Sequence, residues 1–292
     1  MTVTDAQVPD GRPPGHRWRT LYEHAVGANK RRYQDYADGA HGGDTVVLAV
    51  ADGHGSPAHV LSHVGARCAV ETFVQLGLRF AERAHARLPL PRLKADAEER
   101  LPRELVRQWQ HQVLAHARQT AGAFDGPPQD TAARRRHLVP YGTTLIGAVI
   151  TADLLVGWQL GDGELAVVEC DGSVRIPLDP AGPQLGDETD SLCSLQAWEL
   201  VRVHWAPLAT PECAPSLVML STDGLSKSFV DHQGFVQFVR GTYDRLRDQG
   251  FAAVADDLPA WLAQAARYSG DDTTVAAAWR PAQHTPDAQE DR

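Results

Sequence analysis

The chain has 292 residues, 43% of them hydrophobic, and a formal net charge of −9. That length suits one large globular domain or two small ones, able to bury a core without covalent staples. The acidic balance argues against a general nucleic-acid binder, which needs a basic face. The cysteines Cys68, Cys170, Cys193 and Cys213 form no C-x-x-C pair, so they read as reduced, packed thiols.

There is no basic-then-apolar leader and no apolar run of membrane-spanning length. The expectation is a soluble cytoplasmic protein, working as a monomer, with no membrane and no nucleic acid among its partners. Residues 1–14 and 281–292, rich in Pro, Gly and polar side chains, read as flexible tails around one domain at 15–280.

In chain order, residues 45–51, "TVVLAVA", read as a strand covered on both faces. Ser56 and Pro57 have the character of an N-cap and a first helical residue. A helix is therefore expected from there to about residue 82, burying Val60, Val64, Cys68 and Phe73. A connector at 87–95 leads to a second helix over 98–120, where Leu101, Leu105, Trp109 and Val113 recur at helical spacing. Residues 122–140 read as a long loop.

A β-rich section follows, with strands at 143–151, 154–159, 165–169 and 173–176. Turns are expected at 152–153 and 171–172. The Gly/Pro-rich stretch 177–194 interrupts it. Strands resume at 197–205 and 217–220, helices are expected at 230–247 and 254–268, and 274–279 closes as a strand. Helices, then a β meander, then helices and a last strand predict an α+β fold rather than repeated βαβ units.

Four times an apolar run meets an acid beside or one step from glycine: Asp52 in "VADGHG", Asp162 in "QLGDGE", Asp223 in "LSTDGLS", and Asp271 with Asp272 in "GDDTTV". A further acid, Asp35, sits in "KRRYQDYADGA". One Asp-Gly at a strand end is an ordinary turn. Several at the ends of core strands can converge on one rim, because a sheet delivers its strand ends together. Buried carboxylates are costly unless paired or bound to metal, and an all-oxygen donor set suits Mg²⁺ or Mn²⁺ rather than zinc.

These motifs, with "GTTLIGAVI", occur in an order and spacing that resemble the metal-dependent protein serine/threonine phosphatases of the PPM (type 2C) family, over about residues 20–280. The "QDY" at 34–36 is similar to the bacterial branch. The resemblance implies a four-layer α-β-β-α sandwich, two antiparallel sheets flanked by helix pairs, with a two-metal site at one end. It implies that Asp52 bridges both ions, that the Gly53 carbonyl completes one coordination shell, and that Asp223 and Asp271 are terminal ligands. Asp35 would act through water, and Asp162 with Asp223 would hold a third, weaker ion.

The implied reaction is hydrolysis of phosphoserine and phosphothreonine by a water shared between the two ions, with His54 as candidate general acid or a bystander bonded to a carboxylate. Where the family usually carries a phosphate-binding arginine, this chain has Lys30, with Arg31 and Arg32 beside it. Either Lys30 takes that role, or a neighbouring arginine does, or the three form a solvated turn. The segment 177–194 occupies the place of the family's flap. Implied partners are phosphorylated proteins, with a cognate kinase.

Three features invite other readings. His59 and His63 mimic a zinc spacing, but no third nitrogen ligand accompanies them, so a solvated helix face is expected. Thr143 and Thr144 read as strand residues packed beneath the site, not as nucleophiles. Ser221 lacks a G-x-S-x-G elbow. The alternative to an active enzyme is a catalytically silent relative that binds a metal or a partner; retention of Asp35, Asp52, Asp223 and Asp271 favours activity.

Overall fold

A computed structural model describes residues 18–30, 32–42, 44–86, 88–121, 130–178, 189–208 and 214–281. The expected tail at 1–14 and all of the expected tail at 281–292 except residue 281 lie outside the described residues, as do Arg31 and most of the loop at 177–194. Ten strands form two five-stranded sheets in which every pair of neighbours is antiparallel.

The first sheet has the order β2 (Tyr36–Gly42), β3 (Thr45–Ala51), β4 (Leu145–Ile150), β5 (Leu154–Leu160) and β8 (Arg202–Pro207). The second has the order β1 (Arg19–Ala25), β10 (Thr273–Trp279), β9 (Leu217–Ser221), β6 (Glu164–Val168) and β7 (Val174–Arg175). The last strand in sequence thus lies between the first strand and β9, inside its sheet.

Side-chain alternation in β3 shows how the layers form. Val46, Leu48 and Val50 face the other sheet, packing with Ile146, Val218 and Ala276. Val47, Ala49 and Ala51 face outward to α1 (Ser62–His85) and α3 (Leu101–Ala121), among Phe73, Trp109 and Trp158. Both faces of the strand are therefore buried, as its unbroken apolar run requires. The outer face of the second sheet meets α6 (His232–Gln249) and α7 (Phe251–Ser269) through Met219, Phe235, Val239, Leu258 and Leu262. The result is the expected α-β-β-α order of layers.

Several boundaries differ from expectation. The helix expected from residue 56 begins at Ser62, and Val60 is exposed rather than buried. Residues 52–61 stay non-helical because their backbone bonds elsewhere: His54 N–H donates to the Gly142 carbonyl at 3.1 Å and Leu61 N–H to the Pro140 carbonyl at 2.8 Å. Ser56 instead accepts from the Ala58 N–H in a local turn.

The connector at 87–95 contains α2 (Leu90–Ala95), with Pro89 at its N-cap, continued by a π-turn at Asp96–Arg100 into α3. Within the expected loop at 122–140, residues 130–138 form a cap and helix, α4 (Thr131–Leu138), the Asp130 carboxylate accepting the Ala133 N–H at 2.6 Å. Residues 197–199 are a 3₁₀ turn, so β8 starts only at Arg202. Strands β1 and β2 were not expected. Cys68, Cys170 and Cys193 are unbonded thiols.

Candidate active site

The acids converge because strand register brings their ends to one rim. Tyr36 pairs with Ala51, which sets Asp35 beside Asp52. Ser221 pairs with Glu164 on one side and Val275 on the other, so the turns bearing Asp162 and Asp223 and the start of β10 lie together. The short helix α5 (Asp223–Ser226) begins at Asp223 itself.

Asp52 is fixed through its backbone. Its N–H donates to Thr144 Oγ1 at 3.0 Å, and its carbonyl accepts from Thr143 Oγ1 at 2.7 Å and from the Thr144 N–H at 2.9 Å. Gly53 forms an isolated β-bridge with Thr143, and a Cβ there would lie 2.5 Å from the Gln34 carbonyl oxygen. Only glycine permits that approach. Gln34 Nε2 also donates to the His54 carbonyl at 3.1 Å and to Ser62 Oγ at 2.7 Å, tying "QDY" to "DGHG".

Asp272 is a structural partner of its neighbour. It is 1% exposed, and its two oxygens accept the N–H groups of Gly27 at 2.9 Å and Gln34 at 2.8 Å. This staples both ends of the β1–β2 connection, which carries Lys30, to the start of β10. Asp271, next to it, faces Lys30, whose Nζ lies 2.6 Å from Asp271 Oδ1.

Asp35 is buried, with one oxygen, Oδ2, accepting Thr222 Oγ1 at 2.9 Å and Thr274 Oγ1 at 2.8 Å. Its other oxygen, Oδ1, is buried with no partner, and so is Oδ1 of Asp223. Orphaned buried oxygens of this kind call for a cation. The electrostatics agree. Burial, then the charges of Asp35 and Asp271, push the Asp52 carboxyl well above the usual range. Burial pushes Asp35 up to about 7. Burial followed by the charges of Asp52 and Asp162 raises Asp223. Carboxyls that resist ionisation because they are buried, and then because they face one another, are the donor set that a hard divalent ion stabilises.

Among the described residues, no group of three His, Cys, Asp or Glu side chains is gathered closely enough to hold one ion by itself. A tight all-carboxylate cage is thus not what these residues build. Asp271 is drawn to Lys30 and Asp223 to Lys227. Magnesium-like ions need only one or two carboxylates, with water and substrate oxygens completing the shell, so the residues fit such ions in that looser manner.

The basic candidates separate. Lys30 lies against the acids, its ammonium held charged by Asp271, Asp52 and Asp272 although burial opposes this. Arg32 does not join them: its guanidinium meets His63 Nε2 at 3.2 Å on an exposed face of α1. Arg31 lies outside the described residues. His54 packs against His59 with ring centroids 5.0 Å apart, and burial, then His59, push its imidazole down to about 4. The ring is therefore neutral at pH 7. His59 Nδ1 bonds the Val139 carbonyl and His63 bonds Arg32, so neither forms the zinc pair their spacing mimics.

Three residues at the rim went unread in the sequence. Glu164 has Oε2 accepting from Ser221 Oγ at 3.1 Å, and burial pushes it up to about 8. Thr189, at the near end of the 177–194 segment, donates to Asp162 Oδ2 at 3.0 Å. Lys227 bonds Asp223 Oδ2. A lysine four residues after a helical aspartate looks like an ordinary solvated pair, and nothing in the sequence marks it as part of a site.

The sequence matches the family described as Protein phosphatase 2C over residues 26–263. The chain belongs to the protein phosphatase 2C family. Membership makes it a hydrolase of the serine/threonine phosphatase class. No curated protein sequence matches it significantly.

Among solved structures, the Staphylococcus aureus serine/threonine phosphatase Stp1 aligns with a TM-score of 0.57 at 14% identity, covering 94% of this chain and 100% of that one. The Mycobacterium tuberculosis serine/threonine phosphatase PstP/Ppp aligns with a TM-score of 0.55 at 15% identity, covering 91% and 99%. At such identities the likeness is one of fold. A PstP catalytic domain solved in complex with two manganese ions aligns with a TM-score of 0.50 at 15% identity, covering 91% and 99%. In this protein phosphatase 2C chain, no described helix is long and apolar enough to cross a membrane.

Proposed function

We propose that this chain is an active, metal-dependent phosphatase that removes phosphate from phosphoserine and phosphothreonine in proteins. The observation that carries this reading is the pair of buried, partnerless carboxylate oxygens on Asp35 and Asp223 around a raised Asp52. Two ions, Mg²⁺ or Mn²⁺, would be held by Asp52, the Gly53 carbonyl, Asp223 and Asp271, with Asp35 acting through water. When bound, they supply Lewis acidity and lower the pKa of a water towards neutrality.

The chain's own groups supply the rest. Thr143 and Thr144 hold the Asp52 backbone rigid, so its carboxylate needs no reorganisation. Lys30, held against Asp271 with its side chain 19% exposed, can turn from that carboxylate to a phosphoryl oxygen. His54, on the same rigid loop, is the candidate donor to the leaving alkoxide. Its neutral ring makes that role depend on a phosphate dianion raising its proton affinity. The unit that does this is a single domain over 15–280, acting as a cytoplasmic monomer in a signalling pathway of the bacterial type, opposite a cognate kinase.

The test is hydrolysis of p-nitrophenyl phosphate and of a phosphothreonine peptide with Mn²⁺, with and without EDTA. Turnover that EDTA abolishes is expected. No turnover at millimolar Mn²⁺ by a folded protein would leave the silent binding module as the better reading.

A further inference from the structure

The two oxygens of Asp223 have different fates. Oδ1 is buried without a partner, whereas Oδ2 bonds the Lys227 ammonium. The Asp223 side chain is 6% exposed and that of Lys227 is 55% exposed, so the lysine reaches in from solvent while the carboxylate stays inside. Lys227 follows Asp223 by one helical turn, and the pairing of Ser221 with Glu164 sets the turn bearing Asp162 beside that helix start. Asp162 is also engaged, accepting from Thr189 at 3.0 Å. At this corner of the rim one oxygen of Asp223 already has a resident cation, and one oxygen of Asp162 already has a donor.

We infer that Lys227 is a built-in substitute for a divalent ion between Asp162 and Asp223, and limits this phosphatase to two bound ions. This rests on the reading of Asp223 as a metal ligand. Asp223 can offer Oδ1 to one ion while Oδ2 stays with the lysine; a further ion at Asp162 would have to displace a covalently tethered charge. A tethered ammonium is present at high effective concentration, so a weakly held ion loses that competition. A two-ion limit departs from the sequence-based expectation of a third ion at Asp162 and Asp223.

The experiment is calorimetric titration of Mn²⁺ into the chelator-treated full chain, comparing wild type with Lys227→Met and Lys227→Arg. Lys227 is on the surface, so both variants are expected to fold, checked by circular dichroism. Wild type and Lys227→Arg should each take two ions. Lys227→Met should take one more, bound at least about tenfold more tightly than any further ion in wild type. Identical isotherms for wild type and Lys227→Met would overturn the role of Lys227 while leaving the two-ion site standing, as would three ions in wild type. No Mn²⁺ uptake by wild type would overturn the site reading itself.

Discussion

The middle of the sandwich and its rim are built from the same strands, yet they obey opposite rules. In the middle, Val46, Leu48 and Val50 meet Ile146, Val218 and Ala276 with essentially no exposure. Two residues further along β3 the chain reaches Asp52, and the equivalent ends of β9 and β10 lie next to Asp223 and Asp271. The middle, between the sheets, buries aliphatic side chains that need no polar partner. The rim crowds like charges and leaves two buried oxygens without partners. Stability and chemistry are thus separated by one or two residues along each strand, and the rim persists because the middle is well packed.

The comparison predicts that rim substitutions alter rate and spare the fold, while interior ones do the reverse. The largest effect is expected at Asp52. Asp52→Asn should lower kcat by about a thousandfold or more, with an unchanged or higher unfolding midpoint in EDTA, because the amide removes repulsion from Asp35 and Asp271. A near-normal rate would break the comparison at its central residue.

In the interior, Trp109→Ala removes a fully buried ring and its bond to the Gly65 carbonyl at 2.9 Å. It should cost about 3–5 kcal/mol in urea unfolding, with the kcat of the remaining folded enzyme little changed.

A smaller rate effect tests His54. His54→Ala should slow an alkyl phosphate by about tenfold to a hundredfold and p-nitrophenyl phosphate much less, since only the alkoxide needs a proton. Equal slowing of both removes His54 from the proton-donor role.

The smallest effect concerns Glu164, whose carboxyl burial raises from 4.5 to about 8 in the folded protein. The folded state keeps its proton between those values while the unfolded state loses it. Its contribution is therefore full below pH 4.5 and is lost as pH rises towards 8. In EDTA, Glu164→Gln should match wild type near pH 4.5 and become progressively more stable than wild type as pH rises to 8. Parallel stability–pH curves would show that Glu164 titrates alike in the folded and unfolded states.

Much of this could be read from residue order alone. The acids at strand ends, the apolar β3 and the helical spacing of Leu101, Leu105, Trp109 and Val113 were legible because each is a local pattern with one physical cause. Strands β1, "RTLYEHA", and β2, "YADGAHG", were not legible. The first mixes polar and apolar side chains, and the second contains an Asp-Gly that mimics a turn. Both are strands because β10 and β3 pair with them. The late start of α1 was hidden for a similar reason, since the carbonyls of Pro140 and Gly142, some eighty residues away, hold residues 54–61 out of the helix. Lys227 and Glu164 escaped because charge near an Asp-Gly turn normally faces water.

Asp272 has a consequence for how the molecule is made. By accepting the Gly27 and Gln34 N–H groups it locks the connection between the first two strands, and it sits at the start of a strand that inserts beside the first. Until the ribosome has released β10, Asp35 lacks the Thr274 hydroxyl and the connection that carries Lys30 lacks its staple. Any catalytic competence should therefore appear only once β10 has been made and has paired, not gradually along the chain.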